Sequence, residues 1–307
     1  MKKIVVLIVV LSSAILLQAK GDMHLFTADN RAGKITPNKI EDVLSKNGFS
    51  VDLNSEMNLP FTKQFKKTKF KIFTLMTIHH NTLAEKLISK YPQAGVLTPM
   101  GVGIYQAKDE NLIHVSILTS EAQAKILGIK DTKILSKIET ALIKAIKKAL
   151  PNSKMTYSKD SLKESRNLIT KYEMDLDGED WADAKEEFEM NLEAGFEPFG
   201  FVMPSFMDLN EELSENGKLQ SIYDFYDTYS ICKLKVIYTV SQSRPNAAAF
   251  APCTTMVYKK KGEDKIVVGF PAVYNWLSSA DVQDKKSKAV LLKAQKDFES
   301  ILKDVTE

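Results

Sequence analysis

The chain has 307 residues, 44% of them apolar and 26% charged, with 13 glycines, 10 prolines and a formal charge of +3. This composition excludes a disordered or fibrous chain and allows two domains with separate cores. Two cysteines exclude a dense disulfide framework, and the near-neutral charge argues against a nucleic-acid binder.

Met1-Lys2-Lys3 is followed by an apolar run from Ile4 to Leu17 and then Gln18-Ala19. A basic start, a short apolar stretch and a small residue are the three parts of a secretory signal peptide. The run is short of the roughly 18–20 residues that span a bilayer. Residues 1–19 are therefore expected to direct export, giving a periplasmic or secreted protein. Membrane contact is expected only if the segment stays uncleaved. Leu17 is larger than is usual three residues before a cut.

Thr36-Pro37 offers an N-cap and a first-turn proline to a helix whose stripe is Ile40, Val43 and Leu44, ending at Gly48-Phe49. Pro92 to Pro99, a strand ending at Tyr105, an acidic turn and a second strand over Leu112–Leu118 follow. A helix with Ile134, Ile138, Leu142 and Ile146 closes the first unit. Residues 151–179 are polar and read as a partly helical linker. Asp180 then caps a helix carrying Trp181, Ala184, Phe188 and Leu192, which the sequence ends at Gly195-Phe196. Pro245 to Pro252, a strand ending at Tyr258 and a strand over Lys265–Pro271 reproduce the earlier block 153 residues downstream without a gap. A helix with Val290, Leu291, Ala294, Phe298 and Leu302 ends the chain. The expected class is α+β: tandem domains at 20–150 and 180–307, each a mostly antiparallel sheet flanked by helices, packed as a pseudo-dimer.

This arrangement resembles the bacterial family known as domain of unknown function number 302, in two tandem copies. Gly48-Phe49, Pro92, Leu97-Thr98-Pro99 and Ile104-Tyr105 sit at its motif positions. So do Gly195-Phe196, Pro245, Ala251-Pro252-Cys253 and Val257-Tyr258. The family's Phe-Gly-Asn-Pro turn is replaced here by Ile78-His79-His80-Asn81 and Ile231-Cys232-Lys233-Leu234. The resemblance implies a fold similar to that of the TATA-binding protein, usually paired as a dimer, and implies no activity.

Charge divides along the repeat. Residues 20–154 hold 21 basic and 12 acidic side chains, net +9, and residues 155–307 hold 19 and 27, net −8. Two unrelated solvated surfaces would give this pattern. So would facing surfaces that attract one another, with the two repeats associating within the chain. The cluster Lys63, Lys66, Lys67, Lys69 and Lys71 suits an anionic partner, but an exported protein has no call on nucleic acid.

The phosphate-loop, nucleophile-elbow, His-Glu-x-x-His and Cys-x-x-Cys signatures are absent. At the 153-residue offset Cys232 falls on His79 and Cys253 on Met100. A Cys232–Cys253 disulfide, worth roughly 3 kcal/mol for its loop, is the first reading in an oxidising compartment, with two buried thiols as an alternative. A second reading makes His79, Met100, Cys232 and Cys253 soft ligands for copper(I), zinc or haem iron, with His80 and His114 in support. The tyrosines Tyr226, Tyr229 and Tyr258 read as core and rim of strands, or as walls of a ligand cleft with Tyr274 and Trp276 at its mouth. The acidic run Glu186, Glu187, Glu189 and Glu193 reads as a solvated helix face. Three functions remain: a module binding a small molecule or a protein, a metal or haem protein, and an enzyme with its site between the domains. The first is favoured over the enzyme, no cofactor is identified, and no catalytic residue can be named.

Overall fold

A computed structural model describes residues 20–163, 167–213 and 217–307. The expected signal peptide lies outside the described residues. Among the described residues no helix is long and apolar enough to cross a membrane.

The first half runs β1 (Met23–Asp29), α1 (Pro37–Ser45), β2 (Phe49–Glu56), α2 (Asn58–Phe65), β3 (Phe70–His80), α3 (Leu83–Lys90), a 3-10 turn (Pro92–Leu97), β4 (Met100–Ala107), β5 (Leu112–Leu118), α4 (Ser120–Leu127), α5 (Lys133–Ala149) and β6 (Lys154–Tyr157). Its strands form an antiparallel sheet in the order β2-β3-β4-β5-β1-β6. The second half runs β7 (Ile169–Asp175), α6 (Trp181–Phe196), β8 (Val202–Asp208), α7 (Leu209–Glu212), α8 (Lys218–Ile222), β9 (Tyr223–Cys232), α9 (Leu234–Ser241), a 3-10 turn (Pro245–Phe250), β10 (Cys253–Lys260), β11 (Lys265–Pro271), α10 (Tyr274–Ser279) and α11 (Lys285–Thr306). Its antiparallel sheet has the order β7-β11-β10-β9-β8. The fold is α+β with helices flanking both sheets. β3 and β9, the two 3-10 turns, β4 and β10, and β5 and β11 all begin 153 residues apart. The peptide bonds before Pro99 and Pro252 are both cis.

Local chemistry explains the helix starts. Thr36 accepts from the Lys39 amide at α1, and Asp180 accepts from the Ala182 amide at α6. Gly48, at φ +89°, terminates the first helical segment in the left-handed conformation. Gly195 does not do the same for α6, which continues through it. Its place is required by packing, because a Cβ there would lie 2.9 Å from Ile301 Cγ2 on α11. The left-handed stop comes later, at Gly200.

The stretch read as a linker is also different. It supplies β6 to one sheet and β7 to the other. β7 alternates half-buried Thr170, Tyr172 and Met174 with exposed Lys171, Glu173 and Asp175. A charged edge strand has this composition because its outer face and outer edge meet water.

The second sheet has two apolar faces. Phe225, Ile231, Val257 and Val268 pack beneath α6 and α11 with Phe188 and Phe298. Tyr226, Met256, Tyr258 and Val267 face the other way and join the core of the first half. The seam is reciprocal: the Pro245–Phe250 turn lies against β4 and β5, and the Pro92–Leu97 turn lies against β10 and β11.

Small residues permit this approach. A Cβ on Gly95 would stand 2.2 Å from Tyr226 Oη, and one on Gly101 would stand 2.5 Å from the Ala249 carbonyl oxygen. Tyr226 Oη accepts from the Gly95 amide at 3.2 Å and donates to the Pro92 carbonyl. Thr254 Oγ1 donates to the Pro99 carbonyl at 2.9 Å, Ser116 Oγ to the Asn246 carbonyl at 3.0 Å, and Ser279 Oγ to Asp22 Oδ2 at 2.5 Å. The Phe65 and Tyr238 rings stack at 4.0 Å. The salt bridges among the described residues join partners within one half, for example Lys185 with Asp227 and Lys90 with Asp131. Those salt bridges are therefore not what joins the halves. Apolar burial and hydrogen bonds do, with Lys69 Nζ donating to the Gln242 carbonyl at 2.7 Å and the Lys218 amide to Glu85 Oε1 at 3.1 Å beside the hydroxyl contacts.

Candidate functional site

The residues singled out at the repeat occupy equivalent places. His79 and Cys232 lie at the ends of β3 and β9, while Met100 and Cys253 open β4 and β10. They do not assemble a metal centre. His79 Nδ1–H donates to Asp52 Oδ1 at 2.9 Å, and both side chains are buried. Asp52 sits where the β2–β3 register shifts, between Val51 and Leu53. Burial raises its carboxyl pKa above the ordinary value, with the His79 hydrogen bond working in the opposite direction. His80 Nδ1 accepts from the Thr82 amide at 3.3 Å, and His114 lies 3.1 Å from Glu110 Oε2 and stacks on Tyr105. Among the described residues no group of three or more His, Cys, Asp or Glu side chains is placed to hold a metal ion.

Cys232 and Cys253 are both free thiols, so the expected disulfide is absent. The register opposes Cys253 to Ile231 rather than to Cys232. The two positions are thus offset by one residue across the β9–β10 ladder. Both nevertheless border one small apolar cavity of about 50 Å³, with Phe201, Val236, Trp276 and Phe298 among its walls. Burial pushes the Cys232 thiol up to about 11, and burial with the nearby Cys232 pushes Cys253 up to about 12. Both are uncharged at neutral pH and act as apolar wall rather than as nucleophiles.

The tyrosines proposed as cleft walls are mostly structural. Tyr226 and Tyr258 are opposed across β9 and β10, stack at 5.0 Å and are buried in the seam core. Tyr229 points to the other face, where its hydroxyl donates to Glu189 Oε1. Glu189 is therefore not part of a purely solvated face, although Glu186, Glu187 and Glu193 are exposed. Tyr274 is half-buried against the core. Trp276 alone of the five lines the cavity; it is 3% exposed, and its Nε1–H has no acceptor among the described residues.

A larger groove of about 610 Å³ lies between the halves and shares Cys232 and Lys233 with the small cavity. The first half contributes Leu53, Met57, Pro60 and Leu75, from β2, α2 and β3. The second contributes Phe199, Val202, Pro204 and Leu234. Ser55, Gln64, Lys233 and Lys235 are its principal polar side chains, and among the described residues its walls hold no carboxylate and no imidazole. Lys233 Nζ lies 2.9 Å from Asp297 Oδ2 and 4.9 Å from the centre of the Phe201 ring. Asp297 also receives Lys293, at 2.7 Å. Burial works against the Asp297 charge, but the hydrogen bonds from Lys293 and Lys233 outweigh it and hold the carboxyl below its ordinary range. One carboxylate thus answers two ammonium groups, and Lys235 beside them is exposed. Sequence reasoning missed this groove because its walls come from segments far apart in the chain. Its one local sign is Val202, an apolar residue 52% exposed on an edge strand.

A second polar cluster lies under α6. Asp227 is fully buried on β9, with Lys185 Nζ at 2.7 Å and Asp208 opposite it on β8. Burial pushes its carboxyl up to about 6, with Lys185 opposing the shift.

Comparison with known proteins adds the following. Residues 182–305 match the family described as "Domain of unknown function DUF302". A solved structure titled as an uncharacterized conserved protein DUF302 from Bacillus stearothermophilus is 18% identical, covers 46% of this chain and 100% of its own, and superposes with a TM-score of 0.37. No curated protein matches the chain.

Proposed function

We propose that the protein is an exported binding module made of two tandem copies of this domain, taking a small apolar ligand in the groove between them. The observation that carries the reading is the groove itself, a recess of about 610 Å³ with apolar walls from both halves and a few polar side chains. Small-molecule sites have this size and composition and favour domain boundaries. Among the described residues its walls offer neither an acid–base pair nor a charged nucleophile, which favours binding over turnover. The common 153-residue spacing of the β3-to-β5 and β9-to-β11 blocks supports a second copy in the first half. The basic, apolar and small-residue pattern of residues 1–19 supports export.

Native mass spectrometry of the protein taken from its own cells tests the reading, together with titration by the neutral fluorophore N-phenyl-1-naphthylamine. A co-purifying small molecule is expected, with fluorophore binding that Val202→Glu abolishes. A protein that carries nothing and leaves the fluorophore dark sinks it.

A further inference from the structure

We infer that the ligand of this groove is a single-chain fatty carboxylate, its tail along the apolar walls and its head at Lys233 and Lys235. The inference rests on the binding reading above and names the ligand class.

Charge complementarity selects the head. Among the described residues the groove's charged wall residues are both lysines, and no acid stands among them. Lys233 already has Asp297, but that carboxylate is shared with Lys293. The local balance of Lys233, Lys235 and Lys293 against Asp297 is positive, so an incoming anion gains and an incoming cation loses. The remaining walls, apolar but for Ser55 and Gln64, select the tail. Leu53, Met57, Leu75, Val202 and Leu234 offer no partner to a polar body, and the thiols beyond them are neutral. Val202, half-exposed on the groove wall, is the apolar surface that a bound tail would cover.

The same geometry disfavours an extended peptide as occupant. Strand addition needs a regular edge with free amides. Here β8 has a register shift between Val202 and Ser205, and Pro204 supplies no N–H.

The test is calorimetric titration of the mature full chain with dodecanoate, 1-dodecanol and dodecyltrimethylammonium, each kept below its micelle concentration. Dodecanoate is expected to bind at least about tenfold more tightly than dodecanol, and the cation not measurably. Lys235→Gln, an exposed change, is expected to weaken dodecanoate by about tenfold and leave N-phenyl-1-naphthylamine unaffected. Equal binding of dodecanoate and dodecanol, or no effect of Lys235→Gln, overturns the fatty-carboxylate assignment while the groove still binds the neutral fluorophore. Loss of both dodecanoate and fluorophore binding means that the groove reading itself has failed. Sedimentation of the protein with phosphatidylglycerol vesicles, undisplaced by dodecanoate, would overturn the assignment in favour of a membrane surface.

Discussion

Asp227 is a carboxylate that folding removes from water, and the consequence is a pH dependence with a definite sign. Burial raises its folded pKa to about 6, against an ordinary value of 3.8. Between those values the folded state holds a proton that the unfolded state has released. Stability is thus fully present below the unfolded pKa and lost as pH rises through about 6. Urea denaturation from pH 4 to 7 is expected to show this decline, and Asp227→Asn to flatten it by roughly 1–3 kcal/mol. A variant with the same slope as the parent would refute the assignment. Lys185 is kept in place in that variant by Glu189, 3.4 Å away. The contact of Tyr226 with Gly95 gives a second residue-scale test. Gly95→Ala forces a methyl group onto the Tyr226 hydroxyl and is expected to destabilise the chain by about 1–3 kcal/mol. Adding Tyr226→Phe removes the nearest obstructing atom together with its hydrogen bonds and leaves ring carbons Cε1 and Cζ at 2.7 and 2.8 Å. The double variant is therefore expected to lose less than the sum of the singles, as denaturation midpoints will show. Neither position was legible as a contact in the sequence, where Gly95 reads as a turn residue and Tyr226 as one tyrosine among several.

At the scale of elements, the starts of α1 and α6 and the two hairpins were legible because their causes are local. Thr36 and Asp180 accept from amides two or three residues along the chain, and β4–β5 and β10–β11 are closed by short charged turns. The edge strands β6 and β7 were not legible. Their residues look like linker because only one face and one edge of each strand meet the sheet. Replacing residues 154–157 with Gly-Ser-Gly-Ser separates the two descriptions. A linker would tolerate it. A strand that pairs with β1 and sets Tyr157 against His24 at 4.8 Å is expected to cost about 1–3 kcal/mol in the same assay. The end of α6 was misplaced for a related reason: Gly195 looks like a stop, and only the presence of Ile301 across the helix pair reveals it as a packing residue.

For the whole molecule, the seam determines how the halves respond to salt. The charge split of +9 and −8 suggests an association that weakens as ions screen it. The seam instead has glycine, alanine and aromatic contacts with carbonyl-directed hydrogen bonds. If a protease site is inserted within residues 164–166 and cut, the two fragments are expected to co-elute at both low salt and about 1 M salt, where screening extends to ~3 Å. Dissociation by salt would restore the electrostatic description.

The α+β class, the repeat spacing and the bounds of β5 and β11 followed from the sequence alone, because periodicity, capping and turn chemistry act over a few residues and repeat along the chain. The state of the two cysteines, the partner of His79, the faces of the tyrosines and the groove with its lysines were decided by tertiary structure. Each depends on register and on contacts between segments more than about twenty residues apart. A one-residue offset in pairing sets Cys232 and Cys253 out of register across β9 and β10, and the meeting of β2, α2, β8 and α9 creates a recess that no one of those segments encodes. The balanced composition conceals two halves of opposite sign, and the apolar seam between them is what the sequence could not display.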